Sequence, residues 1–599
     1  GLNARLKLDT NSRISLSNND SGTRNTIFGY NAGTSLDAGS NYNVFIGYQV
    51  SDASMDDAVN NVGVGYEALG GLTTGDQNVC LGYSAGYSIT TTSDCTLLGD
   101  RAGDAINHAD AAGSTLIGSG AGGAITSGIG NVAIGYQALD AEDDGDFNTA
   151  VGYQALTAQT GVSGTVSNTA LGYQAGLAVT TGIENVIIGK GAGVSTTNVD
   201  GTVIIGVDAG GANMTQDADG SIFVGKGAGT AVTSGIGNTV LGFEALLVED
   251  DGDFNTAVGY QALKAQTGVT GVVYNTAVGY QAGLAVTTGI ENTLVGGKAG
   301  LALTIGKYNT AIGNWALITE DVGDRSTAIG TYALGLQNSD SNNEITGNVG
   351  VGMNAGYYNV TGQNNTYVGY QAGYGASGQS NSNNTAVGRD ALLAITTGVG
   401  NVGVGKEALT NITDGSYNTT VGRNSGAALT TGDENVIMGV NAGVASLDFD
   451  RVVCIGASAG ASIMTAAGDG SVAVGYTSMN SNTQGERNTA LGYQTLRYPT
   501  TGADDCVAIG YDAMAGNWTT AANTQNVAIG NYCMDAVMTG ANYNTAVGFN
   551  SLSALISGDG NTVIGTSAGN AITTGANNTL IGKSAGLLIA GGGGNVCVG

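Results

Sequence analysis

The strongest constraint on this chain is a motif, Asn-x-x-x-Gly, that recurs along almost its whole length. The motif glycine occurs 33 times between Gly29 and Gly599. The spacing is never below 17 residues, and insertions of one to five residues account for the longer intervals. A fixed period of this size is typical of architectures in which successive units stack on one another. We therefore treat each 17-residue unit as one coil of a solenoid.

Residue types at fixed positions before the motif glycine predict a strand in every coil. The third residue before it is always Val, Thr or Ile, and the residue directly before it is large and apolar, as in Thr149 and Val151. We call these two positions the flanking residues. They share one face of a strand, and we predict that this face lines an aliphatic interior. The middle residue between them is usually small, as in Ala150, and is predicted to lie on a second face that either another strand layer or another chain covers.

A second glycine follows the motif glycine by ten residues in 20 of 32 coils, as in Gly182, and marks a second turn. Two turns per unit leave room for two short strands. The predicted fold is therefore all-β, a parallel β-solenoid or β-roll of about 33 coils with a 17-residue unit and two short strands per coil. Residues 25–599 are predicted to form one continuous solenoid, and residues 1–24 to form strands that join or cap it.

Two further columns support stacking. Asn opens 25 of the 33 motifs, as in Asn148, and Ala stands three residues after the glycine in 26 of 32 coils, as in Ala155. The small alanine suits a tight inner corner. The asparagines either form a ladder of amides that bond to neighbouring coils or serve simply as good turn residues.

Composition excludes several classes of protein. There are 18 Lys and Arg residues against 47 Asp and Glu, for a net charge of −29, so the chain offers no cationic surface to a nucleic acid. Hydrophobic residues make up 42% and charged residues 11%, which is unlike ordinary disorder. Because no apolar run reaches the roughly 18 residues that span a bilayer, we expect no membrane insertion in this segment.

Catalytic signals are weak. His108 is the only histidine, and we expect it to be a solvated loop residue. The stretch Gly118–Gly123 matches G-x-G-x-x-G but belongs to the periodic series and lacks the helix of a dinucleotide site.

The six cysteines lack metal-ligand spacing and are predicted to be buried free thiols. Cys80 and Cys95 lie in different columns, so a disulfide between them would need a backbone shift. The sequence predicts no catalytic residue, no cofactor site and no enzyme.

Two acidic loops are candidates for Ca²⁺ binding, because closely spaced carboxylates around a glycine suit a hard cation. The alternative is a pair of solvated acidic turns. The carboxylates are Asp143, Asp144 and Asp146, with their copies Asp250, Asp251 and Asp253.

Tyrosine directly follows the motif glycine in 13 coils, and we call this position the Tyr column. An aromatic ladder could stack on the sugar rings of a surface glycan. The alternative is that the rings only shield the turn or line a contact between chains. The candidate ligand-facing residues are Tyr136, Tyr153, Tyr173, Tyr260 and Tyr280.

Two motifs, Asn131-Val-Ala-Ile-Gly135 and Asn526-Val-Ala-Ile-Gly530, resemble the head repeats of YadA-like trimeric autotransporter adhesins. Repeats of this kind are also similar to those of phage tail fibres. The resemblance covers residues 25–599, although the adhesin unit is shorter than 17 residues. It implies a homotrimer of β-rolls, an extracellular location on a virion or cell surface, and an adhesive or receptor-binding role.

The sequence thus predicts a non-enzymatic, fibrous extracellular attachment protein, either a tail fibre or a cell-surface adhesin, in which the solenoid is a stiff repetitive rod. The alternative is a self-assembling filament or surface-matrix protein without a specific receptor. A trimer is favoured over a single or dimeric solenoid because two or three buried side chains per coil stabilise little relative to the backbone entropy of 17 residues.

Overall fold

The chain is an all-β, parallel β-solenoid of about 33 coils, as predicted. The only helical segments in the described part of the chain are two short 3₁₀ turns, Ala109–Ala111 and Gln216–Ala218. The chain divides into two compact units, residues 1–292 and residues 293–599. The structure is a computed structural model, and it describes residues 7–8, 14–15, 22–160, 162–462, 469–499, 502–518 and 522–599.

Every coil of the first unit contributes a three-residue strand that ends directly before its motif glycine. These strands pair in parallel, with equivalent positions aligned: Thr149 lies between Val132 and Thr169. Each column of the sequence is therefore a column of stacked side chains. The strands are Thr26–Phe28, Val44–Ile46, Val62–Val64, Val79–Leu81, Thr96–Leu98, Thr115–Ile117, Val132–Ile134, Thr149–Val151, Thr169–Leu171, Val186–Ile188, Val203–Ile205, Ile222–Val224, Thr239–Leu241, Thr256–Val258 and Thr276–Val278.

The second unit repeats this arrangement. Its strands also pair in parallel and in register, as Thr385 with Val402 and Ala386 with Gly403. The strands are Thr293–Val295, Thr310–Ile312, Thr327–Ile329, Val349–Val351, Thr366–Val368, Thr385–Val387, Val402–Val404, Thr419–Val421, Val436–Met438, Val453–Ile455, Val472–Val474, Thr489–Leu491, Val507–Ile509, Val527–Ile529, Thr545–Val547, Thr562–Ile564, Thr579–Ile581 and Val596–Val598.

The prediction of two strands per coil is wrong. On the side opposite the three-residue strands, most described coils bend continuously, although their backbones still bond from coil to coil, as Thr180 N–H does to the Thr197 carbonyl at 2.8 Å. Left-handed residues such as Gln154 and Leu156 fold the chain there and prevent a strand from extending. Two-residue parallel pairs form on this side at three places: Gly145–Asp146 with Gly164–Thr165, Gly252–Asp253 with Gly271–Val272, and Tyr498–Pro499 with Asn517–Trp518.

The predicted orientation of the strands is also wrong. The middle residues point inward and are fully buried, as Ala150 and Ile187 are. The flanking residues point outward, and Leu171 and Leu241 are 47% and 48% exposed. The aliphatic pair therefore forms the outer face of the strand, while the small residues line the interior.

The narrow interior explains why the middle residues, and not the flanking residues, point inward. Two positions of each coil face each other there, and the space between them accommodates one large side chain. The middle residue faces the fourth residue after the motif glycine of the same coil. Where the middle residue is Phe223, that position is Gly229, and a Cβ built on Gly229 would lie 2.1 Å from the phenyl ring. Tyr367 is matched with Gly373 in the same way, at 2.3 Å. Where the middle residue is Ala150, the fourth position holds a buried leucine instead.

The asparagines form the amide ladder that was one of the two alternatives. Asn185 is fully buried, and its Nδ2 donates to the Val199 carbonyl at 2.7 Å. Its Oδ1 accepts the Thr202 N–H at 2.9 Å, and its own backbone N–H donates to Asn168 Oδ1 at 2.9 Å. Each side chain thus satisfies polar groups of the neighbouring coil that the interior would otherwise leave unpaired.

At the start of the chain, Lys7–Leu8 pairs antiparallel with Ile14–Ser15, within the segment where strands were predicted. The remainder of residues 1–21 lies outside the described residues, and a joining or capping role for residues 1–24 stays a prediction. A search of the described segments for helices of sufficient length and apolarity to cross a bilayer found none.

Candidate functional site

The outward flanking residues form what we call the aliphatic face. None of these positions is charged in any of the 33 coils, although the chain carries a net charge of −29. Many of them are more than one third exposed. In the first unit the large apolar ones among these are Phe28, Ile46, Leu81, Leu171, Ile222 and Leu241, and in the second unit Ile312, Ile329, Val387, Val421, Met438, Ile455, Leu491, Ile529, Ile564, Ile581, Val596 and Val598.

A contiguous apolar surface of this kind is unusual in a monomeric soluble protein and is typical of an interface. The like charges that would repel a second copy lie on other surfaces of the coil. The aliphatic face is therefore the part of each unit best suited to contact another chain. The small middle residues, for which such a contact was predicted from the sequence, are buried instead.

Residues of the Tyr column stack on one another from coil to coil. The ring centroids of Tyr136 and Tyr153 are 5.1 Å apart, and those of Tyr153 and Tyr173 are 5.4 Å apart. In the second copy of this segment, Tyr260 stacks between Phe243, at 5.1 Å, and Tyr280, at 5.4 Å. The five tyrosines predicted as ligand-facing therefore form two ladders.

This geometry restricts how such a ladder could bind a sugar. Tyr153 and Tyr260 have both ring faces against neighbouring rings, so only their edges and hydroxyl groups face the solvent. Stacking of a sugar ring requires an open aromatic face. Glycan binding by the Tyr column stays a prediction, and the ends of the ladders are the places where a ring face can be open.

The acidic turns contain a cluster of carboxylates and a separate carboxylate that bonds to the preceding coil. Oxygens of Glu142, Asp143 and Asp144 lie within 4.8 Å of one another. Asp146, in contrast, accepts the N–H of Ile129 at 2.7 Å and so ties its turn to the preceding coil. Its copy Asp253 accepts the Ile236 N–H in the same way, at 2.9 Å. Calcium binding stays a prediction, and Glu142, which the sequence did not single out, would belong to the ligand group.

Glu142 and its copy Glu249 are fully buried, yet their surroundings differ. Burial raises the pKa of both carboxyl groups, against backbone N–H donors that lower it. In each, Oε1 accepts the N–H of the glycine three residues later at 2.9 Å. Oε2 of Glu249 also accepts from Gln266 Nε2 at 2.6 Å, whereas Oε2 of Glu142 is buried without a hydrogen-bond partner among the described residues.

This difference predicts opposite effects of one substitution at two equivalent positions. Because burial raises the folded-state pKa, the native state binds the proton more tightly than the unfolded chain. The protonated carboxyl group therefore makes its full contribution to the free energy of unfolding below the unfolded-state pKa of about 4.3. That contribution declines as the pH rises through the folded-state pKa. E142Q should raise the free energy of unfolding at neutral pH by about 1 kcal/mol and leave it nearly unchanged near pH 4.

E249Q is the matched comparison. Its amide would place an N–H₂ group against either the Gln266 amide or the Gly252 N–H, so we expect a loss of about 1 kcal/mol at neutral pH. Urea unfolding at both pH values measures these effects. Equal effects of the two substitutions would contradict this account of the two glutamates.

The other candidates from the sequence, namely the histidine, the cysteines and the G-x-G-x-x-G stretch, occupy structural positions in the solenoid. His108 is exposed at 59% of its side chain, and its Nδ1 accepts the Asp110 N–H at the start of a 3₁₀ turn. Five cysteines are buried free thiols as predicted, and Cys597 is partly exposed. Burial raises the pKa of Cys95 to about 11, which disfavours a reactive thiolate. The stretch Gly118–Gly123 forms a solenoid turn without a following helix.

Sequence reasoning missed two features of the surface. It assigned the flanking residues to the interior, and it did not note that the Tyr column is interrupted at several coils, among them those of Asp100 and Ser119. A search for a match among protein-family models and among curated proteins found none. The resemblance to YadA-like head repeats and tail-fibre repeats therefore stays a prediction.

Proposed function

We propose that this chain is a non-enzymatic, fibrous attachment protein that acts outside the cell, on a virion or a cell surface. In this proposal the stacked coils are a stiff spacer, and chains associate through the aliphatic face into a homotrimer. The observation that carries it is the uncharged, outward pair of flanking residues, a Val, Thr or Ile and a large apolar residue, repeated in all 33 coils. The resemblance of the motif to trimeric adhesin heads and tail fibres supports the trimer and the location.

The aliphatic face supplies apolar area along the length of each unit. In the first unit six of its large apolar residues are more than one third exposed, and the large apolar residues of the other coils are partly exposed. Stable interfaces bury about 800 Å² per partner, so many coils of each chain would contribute to the contact. Association would also remove from water the apolar surface that a coil cannot bury by itself, which is the usual reason for repeat units to pack together.

Substitution of the aliphatic face by lysine tests this assembly. We expect the triple variant L81K/L171K/L241K to dissociate into single chains, because the three ammonium groups would have to be desolvated in the interface. The long lysine stems can lie along the strand surface, so each coil should stay folded. Sedimentation velocity measures the mass of the assembly, and circular dichroism checks the fold.

The matched control places the same charges on exposed threonines at the second turn, in T74K/T181K/T288K. We expect this variant to retain the mass of the wild-type assembly. A wild-type protein that sediments as a single chain, or equal dissociation of both variants, would contradict assembly through the aliphatic face.

The alternative function is a self-assembling filament or surface-matrix protein without a specific receptor. The same face favours it, because uncharged flanking residues in every coil allow copies to associate at several registers. The sedimentation experiment separates the two functions: a single mass of three chains supports the attachment protein, and a concentration-dependent series of larger species supports the filament.

A further inference from the structure

An interruption of the Tyr column creates a concavity in the first unit. Tyr83 ends one ladder and Tyr136 begins another, and the two coils between them have Asp100 and Ser119 in that column. These smaller side chains leave a depression of about 500 Å³, which we call the notch. Its floor includes Gly120 and Gly123, and side chains of the neighbouring coils form its walls.

One wall of the notch is an open aromatic ring. Tyr136 is 45% exposed and stacks on Tyr153 through one face. On the other side, Ser119 occupies the same column of the preceding coil, and none of the described rings stacks there. At the opposite end of the notch, the guanidinium of Arg101 lies 5.9 Å from the Tyr83 ring, so the charged group, rather than the ring, faces the depression.

Polar side chains line the notch beside the Tyr136 ring. A Cβ built on Gly123 would lie 2.8 Å from Asp140 Oδ1 and 3.8 Å from Asp104 Oδ1, so both carboxylates extend over the glycine floor. Gln137 Nε2 donates to Asp140 Oδ2 at 3.3 Å. Partial burial raises the pKa of Asp104 and of Asp140. The notch thus offers several acceptors and a few donors beside one apolar surface.

These groups do not form a metal centre. In the described residues, three carboxylates approach one another within 4.8 Å at two other places, the groups around Asp56 and Asp143, and the notch is not among them. Nor does the notch suit an anion, since Asp100, Asp104 and Asp140 outnumber the single Arg101. A neutral ligand rich in hydroxyl groups, with one apolar face, fits the combination.

We infer that the notch binds one neutral hexopyranose residue of a glycan, with the C–H face of the sugar on the Tyr136 ring. The sugar hydroxyls would donate to the carboxylates of Asp104 and Asp140 and accept from the guanidinium of Arg101. A sugar ring fits within about 500 Å³ without rearrangement of the coils. The inference concerns a site separate from the aliphatic face, so it holds whether or not the chains assemble.

The internal duplication provides a natural control for this site. Residues 225–296 repeat residues 118–189 at an offset of 107, but the equivalent of the notch has lost its lining. Lys226 replaces Ser119, and its Nζ lies 5.9 Å from the ring of Phe243, the counterpart of Tyr136. Leu247 replaces Asp140, and Gly211 replaces Asp104. The second copy therefore covers the ring face that the first copy leaves open.

Saturation-transfer NMR with the methyl glycosides of glucose, galactose and mannose tests the inference on the full chain. We expect saturable binding of at least one of them with a dissociation constant of roughly 1 mM, as is reasonable for one stacked ring and a few hydrogen bonds. Y136A, which removes the platform, and S119K, which reproduces the covered state of the second copy, should each weaken binding at least tenfold.

Two controls make the outcome decisive. Y493A removes a ring of the same column that stacks between Tyr476 and Tyr511, and it should leave binding unchanged. L81K/L171K/L241K should lose assembly and keep sugar binding, which separates failure of the proposed function from failure of this site. The inference is overturned if no glycoside saturates the wild-type protein, if S119K binds as the wild type does, if Y493A loses binding, or if N-acetylneuraminic acid binds more tightly than the neutral sugars.

Discussion

Replacement of Gly152 by alanine is expected to lower the free energy of unfolding by about 3–5 kcal/mol. Gly152 has φ = 143°, a conformation that residues with a side chain rarely adopt. A Cβ built there would lie 2.1 Å from the carbonyl oxygen of Gly172 and 2.6 Å from its carbonyl carbon. Because the closest atoms belong to the backbone of the next coil, no side-chain rotation can relieve the clash, and the two coils must separate.

The matched control is G220A. Gly220 is also left-handed, at φ = 67°, but a Cβ there would meet no atom within 4 Å. Only the conformational penalty remains, so we expect a loss of about 1 kcal/mol. Urea unfolding monitored by circular dichroism measures both variants, and amide exchange in Thr149–Val151 and Thr169–Leu171 locates the opening. If G152A unfolds at the same urea concentration as G220A, close coil contact is not what selects glycine in this column.

The period of the motif was sufficient to predict the stacking. Thr149 pairs with Val132 and Thr169, one coil away on each side, because the coils have the same composition at each position and only one register aligns them. The amide ladder could likewise be proposed from Asn185 and its equivalents. These features depend on repetition alone, so a single sequence contains the information.

The orientation of the strands could not be obtained from hydrophobicity. Both faces of the strand are apolar, so the usual rule that the aliphatic side faces inward selected the wrong one. The deciding constraint is volume: Phe223 with Gly229, and Ala150 with Leu156, fill the same narrow space in opposite ways. This reciprocal change between the middle residue and the fourth residue after the motif glycine is visible in the sequence, and it is the signal that would have identified the interior.

The candidate site, too, could be predicted only in part from the sequence. The Tyr column predicted the ladders, since identical positions stack, and Tyr136 and Tyr153 do so at 5.1 Å. Where a ring face is open depends on the neighbouring coil, and only the break at Asp100 and Ser119 provides one beside Tyr136. The side chains that surround it come from three coils, so their convergence required coordinates.

Replacement of Asn185 by leucine is expected to cost about 3–5 kcal/mol. Leucine has a similar volume but would leave the Val199 carbonyl and the Thr202 N–H, which bond to Asn185 at 2.7 Å and 2.9 Å, without their partners. Asn185 lies in a fully buried column. Each buried polar group that loses its partner costs roughly 1–3 kcal/mol, so the two together account for the expected loss.

Serine at the same position is the control that the chain itself suggests. In a coil of the same unit, Ser221 occupies this column, where its Oγ donates to the Gly235 carbonyl at 3.3 Å and accepts the Asn238 N–H at 3.1 Å. N185S should therefore retain both bonds in weaker form and lose less than half as much stability as N185L. Urea unfolding, with amide exchange at Thr202, measures both. Equal losses for the two variants would mean that asparagine is selected for the conformation of the turn and that the amide bonds between coils contribute little, whereas a large difference assigns the cohesion of the stack to those bonds.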